Sequence, residues 1–368
     1  MLSATEFSGR KNTKPVLDLI KFDEREKWNK IVKSFENYDI YYLTDYLKAF
    51  KIHGDGEPLL FYYEDKNFKA MNVVMKRDIA FDKQFIGEIA TNTFYDIMTP
   101  YGYGGFLIEG IIIQESLKKL DNEYVALCLE EGIISEFVRF HPVIKNSEDL
   151  KDIYDISMLG KTITMQLSSQ NKILSNLTSE KKKRIRKAKK LGFEIYWGRN
   201  SELIDKFIVL YNSTMDTNDA KDYYYFNKEF FTSILYDLKY HSSIFYAVDD
   251  EERIIAMAIF LFTNRQINCF LSASDKELDN LALTNLIMYE VACWGSENGY
   301  QTLHMGGGVG GKEDSLYNFK KGFNKNSATQ FPIGKKIFNK EKYRMLEDIR
   351  KEKDDFNAET SFFPIYRS

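Results

Sequence analysis

Between Leu303 and Phe323 the chain reads LHMGGGVGGKEDSLYNFKKGF, a short apolar strand, five glycines, an acidic turn and a helix carrying Lys320 and Lys321. Glycines admit positive φ and let a ligand approach the main chain closely. A strand that delivers such a turn onto a helix start suits an anion, because free N–H groups and the helix dipole point at it. Gly306, Gly307 and Gly308 are therefore candidate substrate contacts, with His304 on the strand just before them. Two nucleotide motifs nearly match. Gly306 to Glu313 reads GGGVGGKE, a phosphate loop except that Glu313 stands where a Ser or Thr would hold Mg²⁺. Gly306, Gly308 and Gly311 fit G-x-G-x-x-G, yet too little chain follows for a βαβ unit with its acidic ribose ligand. The alternative reading is a glycine-rich connection with no ligand.

Further candidates lie elsewhere. Arg139 and His141 follow the carboxyl end of a predicted strand, where ligands of α/β sheets gather. The guanidinium can grip a phosphate or carboxylate in a two-pronged way, or serve a structural salt bridge. Tyr101 and Tyr103 flank Gly102, Gly104 and Gly105, and either line a substrate cleft or pack as an aromatic rim. In the loop MDTNDAKDYYYF, Tyr223 or Tyr225 is expected to face a cleft. Lys181 to Lys190 (KKKRIRKAKK) holds eight cations in ten residues, with Ile185 and Ala188 marking a buried stripe. Lys182, Arg186 and Lys189 then form a solvated face, either inert or in contact with phosphates. Few aromatics interleave, so base stacking is not indicated.

The elements that must position these residues follow from periodicity. Asp23 to Glu36 places Trp28, Ile31, Val32 and Phe35 at helical spacing. Thr44 is placed to cap a second helix ending at Gly54. A hairpin turning at Asp65, Lys66 and Asn67 comes next, then the loop TPYGYGGFLIEG, a helix from near Asn122 to Glu131, and strand Ile133 to Phe140. The second half predicts strand Thr162 to Leu167, the basic helix, strand Phe193 to Trp197, and helices over Glu202 to Met215 and Asn227 to Leu238. A second hairpin then turns at Asp249, Asp250 and Glu251, followed by strand INCFLSA, helix Asn280 to Glu297 and strand Gln301 to Met305. Helix, glycine and strand recur in LCLEEGIISEF and ACWGSENGYQTLH, so the chain reads as a duplicated α/β unit. The expected division is a lead-in over 1–20, one unit over 21–155, a second over 156–335, and a final helix and tail over 336–368 that pack back on the first.

Composition bounds the function. A chain of 368 residues, 44% hydrophobic and 15% aromatic, has ample material for packed cores. A net charge of −3 supplies no global drive toward nucleic acid or membrane, so such a contact must be local. Cys128, Cys269 and Cys293 lack metal or redox spacing, which fits a reducing compartment, and four scattered histidines make a metal site unexpected. No apolar run approaches the roughly 18 residues of a membrane span. The first residues do not read as a secretion signal. The expectation is a soluble cytoplasmic protein, or one resting peripherally on the inner face of the membrane.

Helix, helix, antiparallel hairpin, strand, helix, strand in each half resembles the GNAT acyltransferase fold. TPYGYGGFL, SEFVRFHP, KKKRIRKAKKLGFEI and LHMGGGVGGKEDSLYNFKKGF, in this order, resemble the FemABX-like branch of that superfamily over most of residues 25–335. The resemblance implies an α/β (α+β) protein of two tandem GNAT-like domains, each a mixed, largely antiparallel sheet flanked by helices. It implies acyl transfer, in the best-known relatives from aminoacyl-tRNA onto an amino group of a peptidoglycan precursor. Lys320 matches the lysine of the family's F-K-x-x-F motif, which implies a catalytic position beside the donor ester. Glu109 stands where relatives carry a carboxylate near the acceptor, which implies a catalytic or acceptor-binding role, against the plainer reading of a solvated loop glutamate. No tightly bound cofactor is expected; the donor is aminoacyl-tRNA or acyl-CoA, and the partner a small or lipid-linked envelope precursor. Coenzyme A is disfavoured by SASDKELDNLALTNL, which lacks the glycine-rich turn expected before that helix. The competing expectations are a CoA-dependent N-acyltransferase of an amino sugar and a non-catalytic binding module. Convergence of Lys320 and Arg139 on one open cleft separates the last from the other two.

Overall fold

The computed structural model describes residues 17–249, 251–274 and 283–368. Strand β1 (Asp18–Lys21) leads into helices α1 (Arg25–Ser34) and α2 (Thr44–His53). Trp28 and Val32, one turn apart, are the buried stripe of α1, and α2 stops where Gly54 takes φ 97°. Thr44 is the first helical residue of α2, and its hydroxyl accepts from Asn29 Nδ2 at 2.7 Å instead of capping. The hairpin β2 (Glu57–Glu64) and β3 (Phe68–Asp78) turns on the Asp65 carboxylate, which accepts from the N–H groups of Asn67 and Phe68. Strand β4 (Tyr95–Met98), short strand β5 (Leu107–Gly110), helix α3 (Gln114–Glu130) and strand β6 (Ile133–Arg139) complete the first unit. Helix α3 begins well before Asn122 because Leu117 and Leu120 extend the buried stripe of Tyr124 and Cys128.

The chain continues through β7 (Asp155–Gln166), α4 (Gln170–Asn176), α5 (Ser179–Lys190), β8 (Glu194–Gly198), α6 (Ser201–Thr217) and α7 (Lys228–Thr232). It then forms β9 (Ser242–Val248), β10 (Ile254–Thr263), β11 (Gln266–Ser274), α8 (Leu283–Glu297), β12 (Thr302–Gly306), α9 (Ser315–Lys321), β13 (Thr329–Ile337) and α10 (Lys340–Lys351). The predicted start of α8 at Asn280, the turn residue Asp250 and most of the lead-in lie outside the described residues.

All strands join one mixed sheet in the order β1-β2-β3-β4-β6-β13-β7-β12-β11-β10-β9-β8, with β5 paired to β3. The two ends of that order repeat. Three antiparallel pairings link β1, β2, β3 and β4, then α3 crosses over and β6 runs parallel to β4. In the same way β8, β9, β10 and β11 are antiparallel neighbours, α8 crosses over and β12 runs parallel to β11. These are two GNAT-like units. Between them β13 pairs antiparallel with both β6 and β7, and β7 pairs antiparallel with β12. Strand β7 is thus longer than its apolar half, Thr162 to Leu167: residues from Asp155 onward pair with β13, a strand the sequence did not announce.

Strand alternation divides the core between two faces. On β10, Met257, Ile259 and Leu261 join a cluster with Trp28, Tyr46 and Phe50 of the first unit and Phe207, Phe230 and Phe231 of the second. Their neighbours Ala256, Ala258 and Phe260 face α5 and α8 on the opposite side. Helices α1, α2, α6 and α7 therefore share one hydrophobic layer across both units. Tyr343 and Leu346 of α10 and Tyr366 pack with Ile79, Phe85 and Ile134 of the first unit. Arg367 pairs there with Asp96 and Asp82. Burial pushes the Asp96 carboxyl up, but Arg77 and Arg367 outweigh it and hold the group below its ordinary range.

Candidate active site

Strands β11 and β12 run parallel only from Gln266↔Thr302 to Asn268↔His304. Beyond that pair β11 stays with β10 and β12 with β7, the latter with a register shift between His304 and Gly306. The strands splay, and Cys269 and the glycine turn stand at the opening. Gly306 takes φ 72°, and a Cβ built on it would lie 3.5 Å from Lys320 Nζ and 3.8 Å from the Tyr103 hydroxyl. Lys320 donates to the Gly307 carbonyl at 2.7 Å. Its burial pulls the amine below the ordinary lysine range, while Cys269 and Asp314 pull the other way. Burial pushes the Cys269 thiol up to about 11, so at neutral pH it is no thiolate nucleophile.

The start of α9 is already occupied. Asp314 caps it, accepting from Tyr317 N–H and Val309 N–H at 2.8 Å each, and so is the anion which that helix end favours. Much of the glycine content serves close packing: a Cβ on Gly307 would sit 2.5 Å from Lys161 O, and one on Gly308 2.1 Å from Lys312 O. The two N–H groups that Asp314 takes are thus closed to a ligand anion, and the turn offers the Gly307 carbonyl to Lys320.

Tyr103 brings the first unit to the same point. Its hydroxyl is 3.0 Å from His304 Nε2, and His304 Nδ1 is 2.8 Å from Thr164 Oγ1 on β7. Burial, with His141 and Lys320 nearby, drives His304 well below the ordinary histidine range, so the ring is neutral. Arg139, at the end of β6, has its guanidinium 5.6 Å from the Phe137 ring and, among the described residues, no carboxylate within ion-pair distance. Its charge reaches Tyr101, Tyr103, Tyr223 and Asp55. Tyr223 donates to Asp55 at 2.8 Å. Arg139, Tyr101, Tyr103 and Lys320 are all partly exposed.

Other expected site residues lie elsewhere. His141 is fully buried: Nε2 is 2.8 Å from Asp39 Oδ2, and Nδ1 accepts from the N–H groups of Val143 and Ile144. With both nitrogens used on partners within the first unit, the buried ring is not open to substrate. His304 likewise acts through Tyr103. Glu109 lies on β5, ion-paired to Lys69 at 3.2 Å and accepting from Glu36 N–H; those partners anchor a loop of the first unit. Tyr225 donates to Asp216 at 2.7 Å on the outer side of α6. On α5, Lys189 is paired with Glu290 at 2.6 Å, and Arg186 is exposed. Lys182 is half-buried there, and Lys181 is buried.

Asp39, Asn268, Cys269 and Lys181 were not singled out by sequence. Asn268 donates to both Asp39 oxygens, at 3.1 and 3.0 Å, so a carboxylate in the first unit is shared by a histidine there and an amide in the second. No motif surrounds Asp39. For Lys181 a signal existed: it falls one turn before Ile185, on the stripe that Ile185 and Ala188 define.

Residues 175–321 match a family model described as Acetyltransferase (GNAT) domain. Among curated proteins no sequence matches. The fold is similar to that of FemX, at 12% identity and a TM-score of 0.65, covering 90% of this chain and all of that one (100%). It is similar to L-PGS from Bacillus licheniformis at 13% identity and a TM-score of 0.55, covering 89% of this chain and 96% of that one. The DUF2156 C-terminal domain assigned to a lysylphosphatidylglycerol synthetase of Agrobacterium fabrum gives 12% and 0.53, over 85% and 91%. The chain thus has a GNAT-like fold similar to that of FemX.

Proposed function

Starting from a chain folded as FemX is, we propose that it is an acyl- or aminoacyltransferase that forms an amide on an amino group of a cell-envelope precursor, of peptidoglycan or a surface polysaccharide. The observation that carries this reading is the meeting of Lys320 and the Tyr103 hydroxyl beside Gly306 at the mouth of the β11/β12 splay. Amide formation needs the amine held against an activated carbonyl and donors for the oxyanion that develops. Lys320 gives one N–H to Gly307 and has two left. With the Thr164 hydroxyl donating to His304 Nδ1, the neutral ring carries its proton on Nε2 and gives it to Tyr103, which frees the Tyr103 O–H to donate into the cleft. The amine adds to the carbonyl, the carrier's oxygen or sulfur departs, and the proton lost by nitrogen ends on that leaving atom. Arg139, without a carboxylate partner among the described residues, suits an anionic group of the acceptor.

The match to an acetyltransferase domain supports a second reading, transfer from acyl-CoA to an amino sugar. One experiment tests both. Mass spectrometry of the envelope glycans of a deletion strain should show the loss of one amide-linked acyl group, restored by the wild-type chain and not by Lys320→Met. Unchanged glycans, or full restoration by Lys320→Met, would sink the proposal. The mass lost separates an aminoacyl group from a simple acyl group.

A further inference from the structure

The two ends of the sheet are guarded differently. At one, β1 spans four residues, ends on Asp18 and Lys21, and has Asp18 ion-paired to Lys27 at 3.3 Å. Short length and charge are how edge strands are kept from recruiting other chains. At the other, β8 reads EIYWG, with no proline or lysine, and pairs with β9 over all five residues without a bulge. It ends the strand order, so among the described residues no strand lies along its outer edge. Tyr196 is 47% and Trp197 57% exposed there, on opposite faces by strand alternation.

Between this end of the sheet and α6 a groove of about 560 Å³ opens. Tyr196 and Tyr246, opposite each other in the β8/β9 register, line it as a stacked pair, 6.0 Å between centroids and 27° between planes. Four carboxylates, Glu194, Glu202, Asp249 and Glu252, border it against one cation, Lys206. Lys206 is taken by Glu202 at 3.2 Å, and Asp249 by its own hairpin turn and Arg253. Among the described residues Glu194 and Glu252 have no cation within ion-pair distance. Tyr196 donates to Glu194 at 2.5 Å, and that bond, with the Glu252 charge adding to it, raises the phenol above its ordinary range. Stacked rings among unpaired carboxylates suit an organic cation. The free strand edge beside them suits an extended backbone.

We propose that β8 and this groove bind an extended segment of another protein, added as a further strand and carrying lysine or arginine at alternate positions. Strand periodicity turns every second residue of the guest, roughly 6.6 Å apart, toward the groove. There its cations meet Glu194 and Glu252 and lie over the tyrosine rings, while the residues between them pack on Ile195 and Trp197 of the other face. A second copy of this chain is the poorer fit. Two β8 edges paired about a two-fold axis keep like faces on one side, so the carboxylates of one groove would stand beside those of the other. The site is distinct from that of Lys320. Strands β10 and β9 lie between β11 and β8, which sets the edge roughly 14 Å from β11 at about 4.8 Å per strand. A strand added outside β8 extends the sheet away from Lys320, so the proposal is independent of the acyl-transfer reading.

The test is fluorescence anisotropy of the full chain with three labelled heptapeptides. One alternates lysine with valine, one holds the same residues in separate blocks, and one has glutamate for lysine. We expect the alternating lysine peptide to bind at least about tenfold more tightly than either other, and to weaken as salt is raised from roughly 50 to 500 mM. The double variant Glu194→Lys, Glu252→Lys should weaken it by at least about tenfold. An edge guest pairs through one side only, so N-methylation of one alternate set of its amides, and not of the other, should abolish binding. Hydrogen exchange should show new protection in β8 when the peptide is bound. No binding, equal binding of the three peptides, binding that survives both N-methylated sets, or an unchanged affinity in the double variant overturns the proposal. Should the double variant not fold, the N-methylated peptides on the wild-type chain decide. Self-association of the chain that protects β8 from exchange would assign the edge to a second copy and likewise overturn it.

Discussion

His304 has both ring nitrogens on protein hydroxyls, those of Thr164 and Tyr103, and the role proposed for it is to aim one proton. If the Thr164–His304–Tyr103 line sets the Tyr103 hydroxyl as a donor, Tyr103→Phe should lower kcat roughly 10²-fold, the scale of losing one oxyanion donor, with little change in KM. Thr164→Val should produce part of that loss by freeing the ring to reverse its hydrogen bonds, and equal turnover in both variants and wild type would discard the line. The same ring makes a pH prediction. Its folded pKa lies well below 6.5, so the unfolded chain takes the proton first and stability falls as pH drops below about 6.5. Urea melts between pH 7 and 5 should show that limb, flattened in His304→Gln. Lys320, Tyr103 and Arg139 were legible as reactive types beside glycines or a strand end. That His141 and His304 are spent on protein partners was not, because a sequence shows where a strand stops but not what covers it.

At the scale of elements, α9 positions Lys320, and its first turn rests on one cap. Asp314→Ala should cost about 1–2 kcal/mol and lower turnover more than a remote cap of equal worth, as chemical denaturation paired with a transfer assay would show. An unchanged midpoint would mean that the turn is held otherwise. Hairpins and amphipathic helices were readable because their partners lie within one local period. Strand β13, TQFPIGKKI, was not: proline and paired lysines give it no alternation, and both its neighbours are distant in sequence. The basic run shows the converse error. Its stripe was visible, but Lys181 was assumed to stay in water, whereas the rings of Phe319 and Phe323 complete its burial.

The two units share a hydrophobic layer and a buried carboxylate, so they should not unfold separately. Asp39→Ala leaves the His141, Asn268 and Ile40 donors unpaired, at about 1–3 kcal/mol for each group left unsatisfied. We expect a lower midpoint in a single transition seen alike by hydrogen exchange in β3 and β10. Two separated transitions would show the layer to be a contact and not a common core.

The placement of β13 also sets an order in time. It lies in the middle of the sheet but is made after every other strand, so until Thr329–Ile337 leave the ribosome, β6 and the first half of β7 present open edges to each other and to any other chain. The first unit can gather its helices early, yet the sheet closes only when β13 has been made. A nascent chain that stalls within the glycine turn has nearly all the side chains of the cleft and no strand to join its halves, and that is where this protein is most exposed to mispairing.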